Sequence, residues 1–172
     1  MKIYLVRHTA VDVPQGTCYG HTDVPLKKSF EDEARIVKNN LADKEFDKAF
    51  SSPLSRCRRL SVFCGYESAI LDDRLKELYF GDWENRPWDS LDMSIWETDW
   101  VNPPTPNGES FRQMYDRVAS FFDDLKEESF QSVVVFTHGG VISCARVYFE
   151  QADIHKTFEL MPKYGEIVEF EI

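Results

Sequence analysis

Ile3-Tyr4-Leu5-Val6-Arg7-His8 is the stretch on which the reading of this chain turns. Four consecutive apolar residues have the length and composition of a buried strand, and they stop at a guanidinium and an imidazole. In open parallel sheets, ligands bind outside the carboxyl ends of the strands. Arginine offers an oxyanion a planar fork of donors, and histidine can act as a nucleophile. Arg7 and His8 therefore mark a candidate phosphate-handling site at the end of a first strand. Any two polar residues can end a strand, so the pair needs support from elsewhere.

Support comes from a second strand of the same kind. Ser132-Val133-Val134-Val135-Phe136 is a continuous apolar run, as expected of a strand covered on both faces. It leads into Thr137-His138-Gly139-Gly140, where the glycines let backbone approach a ligand closely. If the two strands are neighbours, His8 and His138 face one pocket. Either histidine alone reads more naturally as structural; the matched placement favours a shared site.

Between these runs, strand-like and helix-like segments alternate. Residues 29–42 suit an amphipathic helix with Ala34, Val37 and Leu41 inward. Lys48-Ala49-Phe50-Ser51 is a short strand, and Ser52-Pro53 reads as an N-cap with proline in the first turn. That helix should run to about Cys64 and stop at Gly65. Another short strand is expected at 68–71. Residues 110–126 repeat apolar side chains at three and four, from Phe111 to Leu125, behind a capping box at Ser110 and Gln113. Val141–Phe149 reads as a helix, and 166–172 as a peripheral strand with Val168, Phe170 and Ile172 on one face. The alternation predicts an α/β sandwich around a mainly parallel sheet.

Residues 82–108 break the pattern. They hold all four tryptophans, Trp83, Trp88, Trp96 and Trp100, and a turn-rich Asn102-Pro103-Pro104-Thr105-Pro106-Asn107-Gly108. They read as a partly helical excursion above the sheet, either a roof over the pocket or a satellite core.

Length and composition bound the alternatives. The 172 residues fit one domain, 1–172, with 42% hydrophobic and 29% charged residues, an ordinary soluble composition. Lys plus Arg number 20 against 30 Asp plus Glu, a net charge of -10, which argues against nucleic acid or an anionic membrane as partner. A small-molecule phosphate ester remains compatible, provided a local arginine cluster overrides the global field. The start lacks the apolar core of a signal peptide, and no apolar stretch reaches the ~20 residues that span a bilayer. Cys18, Cys57, Cys64 and Cys144 form no Cys-x-x-Cys pair, as expected of small buried side chains in a reducing cytoplasm.

Two further residues are candidates for the site. Arg56 falls in the first turn of the helix after Ser52-Pro53, where the dipole disfavours a cation unless it has an anion to hold. The alternative is a solvated charge like Arg58 and Arg59. Glu77 stands in Leu75-Lys76-Glu77-Leu78-Tyr79-Phe80, where apolar neighbours would suit a proton donor. The alternative is one more surface acid.

Taken together and in order, Arg7-His8-Thr9, Ser52-Pro53-Leu54-Ser55-Arg56, Glu77 before Phe80-Gly81-Asp82-Trp83-Glu84, and Thr137-His138-Gly139-Gly140 resemble the motifs of the histidine phosphatase superfamily, also called phosphoglycerate mutase-like. The resemblance covers nearly the whole chain. It implies a three-layer α/β/α fold and a covalent phosphohistidine mechanism with no metal and no cofactor. By motif, His8 resembles the nucleophile, Arg7 and Arg56 the phosphate clamp, and His138 the second pocket histidine. Glu77 resembles the acid for the leaving oxygen and then the base for water.

Within the superfamily the resemblance is nearest to the α-ribazole phosphatases of cobalamin nucleotide-loop assembly. It rests on Gly20-His21-Thr22-Asp23-Val24-Pro25-Leu26, on Tyr79 to Glu84, and on Thr98-Asp99-Trp100 leading to Pro106-Asn107-Gly108-Glu109-Ser110-Phe111. The implied substrate is α-ribazole 5′-phosphate, whose base could stack on aromatic rings. His21, where many members carry Gln or Arg, joins Arg7, Arg56 and His138 as a substrate-binding candidate. Ala10 replaces a common acidic residue, and the long insertions of phosphoglycerate mutases are missing. A broad small-molecule or sugar-phosphate phosphatase is the alternative enzyme. A non-catalytic phosphate-binding regulatory module is the alternative of another class.

Overall fold

The apolar run near the amino terminus forms strand β1 (Lys2–Arg7), which lies inside the sheet rather than at its edge. The computed structural model describes residues 1–172. Along the chain follow α1 (Phe30–Leu41), β2 (Lys48–Ser51), α2 (Ser55–Phe63), β3 (Ile70–Leu71), α3 (Phe111–Lys126), β4 (Ser132–Thr137), α4 (Gly139–Glu150) and β5 (Ile167–Glu171). The strand order is β3-β2-β4-β1-β5. Every pairing is parallel except that of β1 with β5. The expected peripheral strand is thus an antiparallel edge.

The layers follow from the two-residue period of a strand. Ile3, Leu5, Val133 and Val135 face Met114, Val118 and Phe122 of α3 and Val141 and Ile142 of α4. Tyr4, Val6, Val134 and Phe136 point the other way, onto Ala34, Val37 and Leu41 of α1 and Cys57 and Leu60 of α2. Helices therefore cover both faces, which is why β1 and β4 are apolar throughout rather than alternating. The three-layer α/β/α arrangement expected from the motifs is the one observed. None of the helices is long and apolar enough to cross a membrane.

Some boundaries differ from the expectation. α2 starts at Ser55, with Leu54 at its N-cap and Pro53 outside the helix. The Ser55 N–H is instead taken by the Asp23 carboxylate, 2.8 Å away, from a loop distant in sequence. α4 begins at Gly139, so both glycines lie inside the helix and His138 is its N-cap. Ile172 is exposed, unlike Val168 and Phe170. The aromatic excursion contains short 3₁₀ turns at Gly81–Trp83, Trp88–Ser90 and Ser94–Trp96. Trp83 is buried there, its ring centroid 4.8 Å from that of Trp96 in an edge-on contact.

α3 shows local and tertiary stabilisation on one element. Ser110 accepts the Gln113 N–H at 3.1 Å, and the Gln113 side chain accepts the Ser110 N–H at 2.8 Å. Phe122 is fully buried among Phe121, Tyr148 and Phe149. Ser110→Ala should cost about 1 kcal/mol, the usual worth of such a cap, and Phe122→Ala about 3–5 kcal/mol. Urea unfolding midpoints at unchanged slope give both values. A Ser110→Ala protein with the wild-type midpoint would show that the cap adds nothing to what packing already secures.

Candidate active site

Parallel pairing of β1 with β4 sets Arg7 opposite Thr137, so the next residues, His8 and His138, leave the sheet side by side. Their ring centroids lie 5.2 Å apart, and both side chains are buried. His8 Nδ1 is 2.7 Å from the Thr9 carbonyl oxygen. A carbonyl only accepts, so Nδ1 carries the proton and Nε2 keeps a bare lone pair. Burial, then the charges of Arg56 and Arg7, push the His8 pKa well below the usual imidazole value. His8 is thus a neutral imidazole at neutral pH, the form that can attack phosphorus.

His138 is tied down on both sides. The Arg56 Nε–H donates to His138 Nδ1 at 3.3 Å, which leaves the ring proton on Nε2, donated to Ser52 Oγ at 2.8 Å. Burial, then Arg56 and His8, hold its pKa well below the ordinary range. Cys57 touches the same ring, its Sγ 3.4 Å from Nε2. Burial pushes the Cys57 thiol up to about 12, so it stays protonated and unreactive. All four cysteines are buried and unpaired.

The two arginines are held without carboxylates. Arg56 is fully buried, and its guanidinium donates to the carbonyls of Thr22 at 3.0 Å and Gly20 at 2.5 Å. Arg7 donates to the Pro162 carbonyl and lies over the Tyr164 ring, 4.1 Å from its centroid. Its Nε is buried with no partner. Orphaned buried donors are rare and call for an explanation. An oxyanion between Arg7 and Arg56 would supply one.

Glu77 reaches the same place from the segment after β3. Its carboxylate accepts the N–H of Leu78 at 3.0 Å and of Gly140 at 3.2 Å. A Cβ on Gly140 would come within 2.2 Å of Glu77 Oε1, so only glycine permits this contact. Arg117 braces the segment by donating to the carbonyls of Arg74, Lys76 and Glu77, and it pairs with Glu109 at 2.5 Å.

Arg7, His8 and Glu77 open onto a cavity of about 240 Å³. Its apolar wall is Phe80, Trp88, Phe111, Met114, Phe158 and Met161. Trp88 is the one tryptophan in that wall. Trp83 and Trp96 pack behind it, and Trp100 packs at a tilt against Phe158 with centroids 4.4 Å apart. The excursion is therefore both a wall and a satellite core.

Arg56 and His138 lie behind this lining and join the site through His8 and each other. His21 does not line this cavity. Its ring stacks on Tyr79, 4.8 Å between centroids, and meets neither pocket histidine. Its N–H donates to Glu84 at 2.8 Å, and its ring Nε2 is buried without a partner. Sequence reasoning missed Ser52 as the partner of His138, and it missed Tyr164, whose hydroxyl meets that of Tyr19 at 2.9 Å. It also missed the segment at Ile154–Leu160, which supplies Thr157 and Phe158 to the cavity. That segment has no motif and no regular period; its cluster of apolar residues next to Gly165 was the available signal.

Comparison with known proteins agrees with this fold. The model of the histidine phosphatase superfamily (branch 1) matches residues 3–172. The adenosylcobalamin/alpha-ribazole phosphatase of Salmonella typhimurium is 33% identical over 155 residues, spanning 83% of this chain and 76% of that protein. The crystal structure of the alpha-ribazole phosphatase from Shigella flexneri superposes with a TM-score of 0.89 at 25% identity, covering 100% of this chain and 91% of the other. A phosphoglycerate mutase from Thermus thermophilus gives 0.76 at 32% identity, covering 98% and 92%.

The buried histidines make stability depend on pH. Both have folded pKa values below the unfolded value of about 6.5. Below that pH the unfolded chain binds protons that the folded chain refuses. Their contribution is therefore intact above about pH 6.5 and lost as the pH falls, by up to about 1.4 kcal/mol per pH unit for each histidine. Urea unfolding between about pH 7.5 and 5 should show a shallower loss for His138→Gln than for the wild type, by up to one proton. Parallel slopes would mean that His138 is charged in the folded state.

Proposed function

The chain belongs to the histidine phosphatase superfamily, and on that premise we propose that it hydrolyses α-ribazole 5′-phosphate to α-ribazole and phosphate through a phosphohistidine on His8. The carrying observation is the bare Nε2 of neutral His8, beside two arginines held by carbonyls rather than carboxylates and in one cavity with Glu77. Phosphoryl transfer needs positioning and charge stabilisation more than covalent help from the protein.

The substrate phosphate lies between Arg7 and Arg56. His8 Nε2 attacks phosphorus, and the bond to the ribose oxygen breaks. Glu77 acts as the acid and gives a proton to that leaving oxygen. In the second half, Glu77 as carboxylate takes a proton from water, and the water oxygen attacks the phosphohistidine. The P–N bond breaks, free phosphate leaves, and His8 returns to its neutral form. His138, fixed by Ser52, accepts the Arg56 Nε–H and so helps aim the guanidinium that stabilises charge on the transferring group. Retention of this complete set disfavours a module that only binds phosphate.

Two features support the base-bearing substrate. Relatives named above carry that activity in their names. The aromatic wall of Phe80, Trp88, Phe111 and Phe158 offers flat apolar surface to a benzimidazole ring, which a simple sugar phosphate would leave unused.

His8→Ala should abolish turnover with the fold intact, and denaturing the wild type in alkaline detergent during turnover should trap a base-stable, acid-labile phosphoryl group on His8. Near-normal turnover by His8→Ala would sink the mechanism. For the substrate, base stacking is worth about 1–3 kcal/mol. Trp88→Ala should therefore lower kcat/KM for α-ribazole 5′-phosphate by roughly 5- to 150-fold and barely change it for ribose 5-phosphate. Equal losses on both would assign Trp88 to structure and remove the argument for a base-bearing substrate.

A further inference from the structure

Glu84 sits outside the cavity, next to the most buried tryptophan, Trp83. Its carboxylate gathers five hydrogen bonds. Oε1 accepts the N–H of His21 at 2.8 Å and of Phe80 at 3.2 Å. Oε2 accepts the N–H of Gly20 at 3.2 Å, the N–H of Thr22 at 2.9 Å and the Thr22 hydroxyl. Burial acts to raise its pKa, but the bonds from Thr22, His21 and Gly20 outweigh it and hold Glu84 below the ordinary carboxylate range. The group is an anion solvated by peptide N–H groups, with no cation paired to it.

The same short loop faces the site with its carbonyls. Gly20 and Thr22, whose N–H groups bind Glu84, direct their C=O groups at Arg56. Arg56 in turn donates to His138. On its other side the loop is wedged against the Glu77 segment, because a Cβ on Gly20 would come within 1.7 Å of the Leu78 carbonyl oxygen. Glu84 itself is aimed by the turn at Gly81–Trp83, which Trp83 anchors in the core.

We propose that Glu84 is a positioning residue for the phosphate clamp: by binding the N–H side of the Gly20–Thr22 loop, it sets where that loop's carbonyls hold the Arg56 guanidinium. The inference rests on Arg56 binding the substrate phosphate. An amide at position 84 would turn an NH₂ toward backbone donors and release part of the loop. The loop would stay attached, because Cys18 still pairs with Asn85 and Arg86 through backbone bonds of 2.8 Å. Arg56 would keep its charge but lose its fixed aim.

The test is a double-mutant cycle read with two anion probes, inorganic phosphate as competitive inhibitor and orthovanadate, alongside p-nitrophenyl phosphate turnover and thermal midpoints. Glu84→Gln should weaken both anions and lower kcat/KM by about 10- to 100-fold, with Glu84→Asp recovering part of the loss because it retains the charge. In an Arg56→Lys background, Glu84→Gln should add less than about 3-fold, since its effect runs through the guanidinium. Unchanged anion affinity in Glu84→Gln, or a full additive loss in the double variant, would overturn the proposal. Wild-type anion affinity in Arg56→Lys would instead overturn Arg56 as the clamp. Should Glu84→Gln fail to fold, Thr22→Val removes a single bond of the five; it should weaken both anions about 3-fold or more, and no change would overturn the proposal.

Discussion

The parallel pairing of β1 with β4, with Arg7 opposite Thr137, is the constraint on which the site depends. It brings two strands far apart in sequence to one sheet end and places His8 and His138 in contact. A slip of one residue would turn each apolar side chain to the opposite face and separate the rings. The register cannot slip cheaply, because Ile3 and Leu5 serve one helix layer and Tyr4 and Val6 the other. The hydrophobic effect on both faces of the sheet thus sets the geometry of a polar site at its end.

Electrostatics at that site are organised by neutral partners. Arg7 and Arg56 lean on carbonyls of Pro162, Gly20 and Thr22 rather than on carboxylates. A carboxylate partner would satisfy the charge but also compete with an incoming phosphate. Carbonyl dipoles hold a guanidinium in place and leave its charge available. The chain carries a net charge of -10, yet its nearby acids are occupied elsewhere: Glu109 on Arg117, Glu84 on peptide N–H groups. Burial above all, and Arg56 after it, keep His8 and His138 neutral; Arg7 adds to this at His8.

The aromatic excursion joins these two themes. Trp83 and Trp96 form a packed cluster that anchors it, and this rigid base presents Trp88 and Phe80 to the cavity and Glu84 to the Gly20–Thr22 loop. One irregular segment therefore contributes apolar wall and polar bracing. Its tryptophans are few in the cavity because most of them are occupied in packing the segment onto the core.

From the sequence alone, the strong periodicities were legible. The apolar runs of β1 and β4 and the three-and-four spacing of α3 are local patterns set by burial, and α3 even carries its own capping box. His8, His138, Arg7, Arg56 and Glu77 were singled out because each sits in a short motif, and the structure brings these five together around one place. His21 was singled out too, but its ring turns to Tyr79. What escaped the sequence was everything that depends on residues distant along the chain. Ser55 opens α2 because Asp23 caps it from another loop. Tyr164 lies against Arg7, and Ser52 orients His138, across separations no local pattern records. Glu84 was visible as a letter beside Trp83, but its task exists only once the fold lays the Gly20–Thr22 loop between it and Arg56. Local sequence determines which segments bury which faces; the partners of buried polar groups are decided when the segments pack, because each such group takes whatever donor or acceptor the tertiary fold brings within reach.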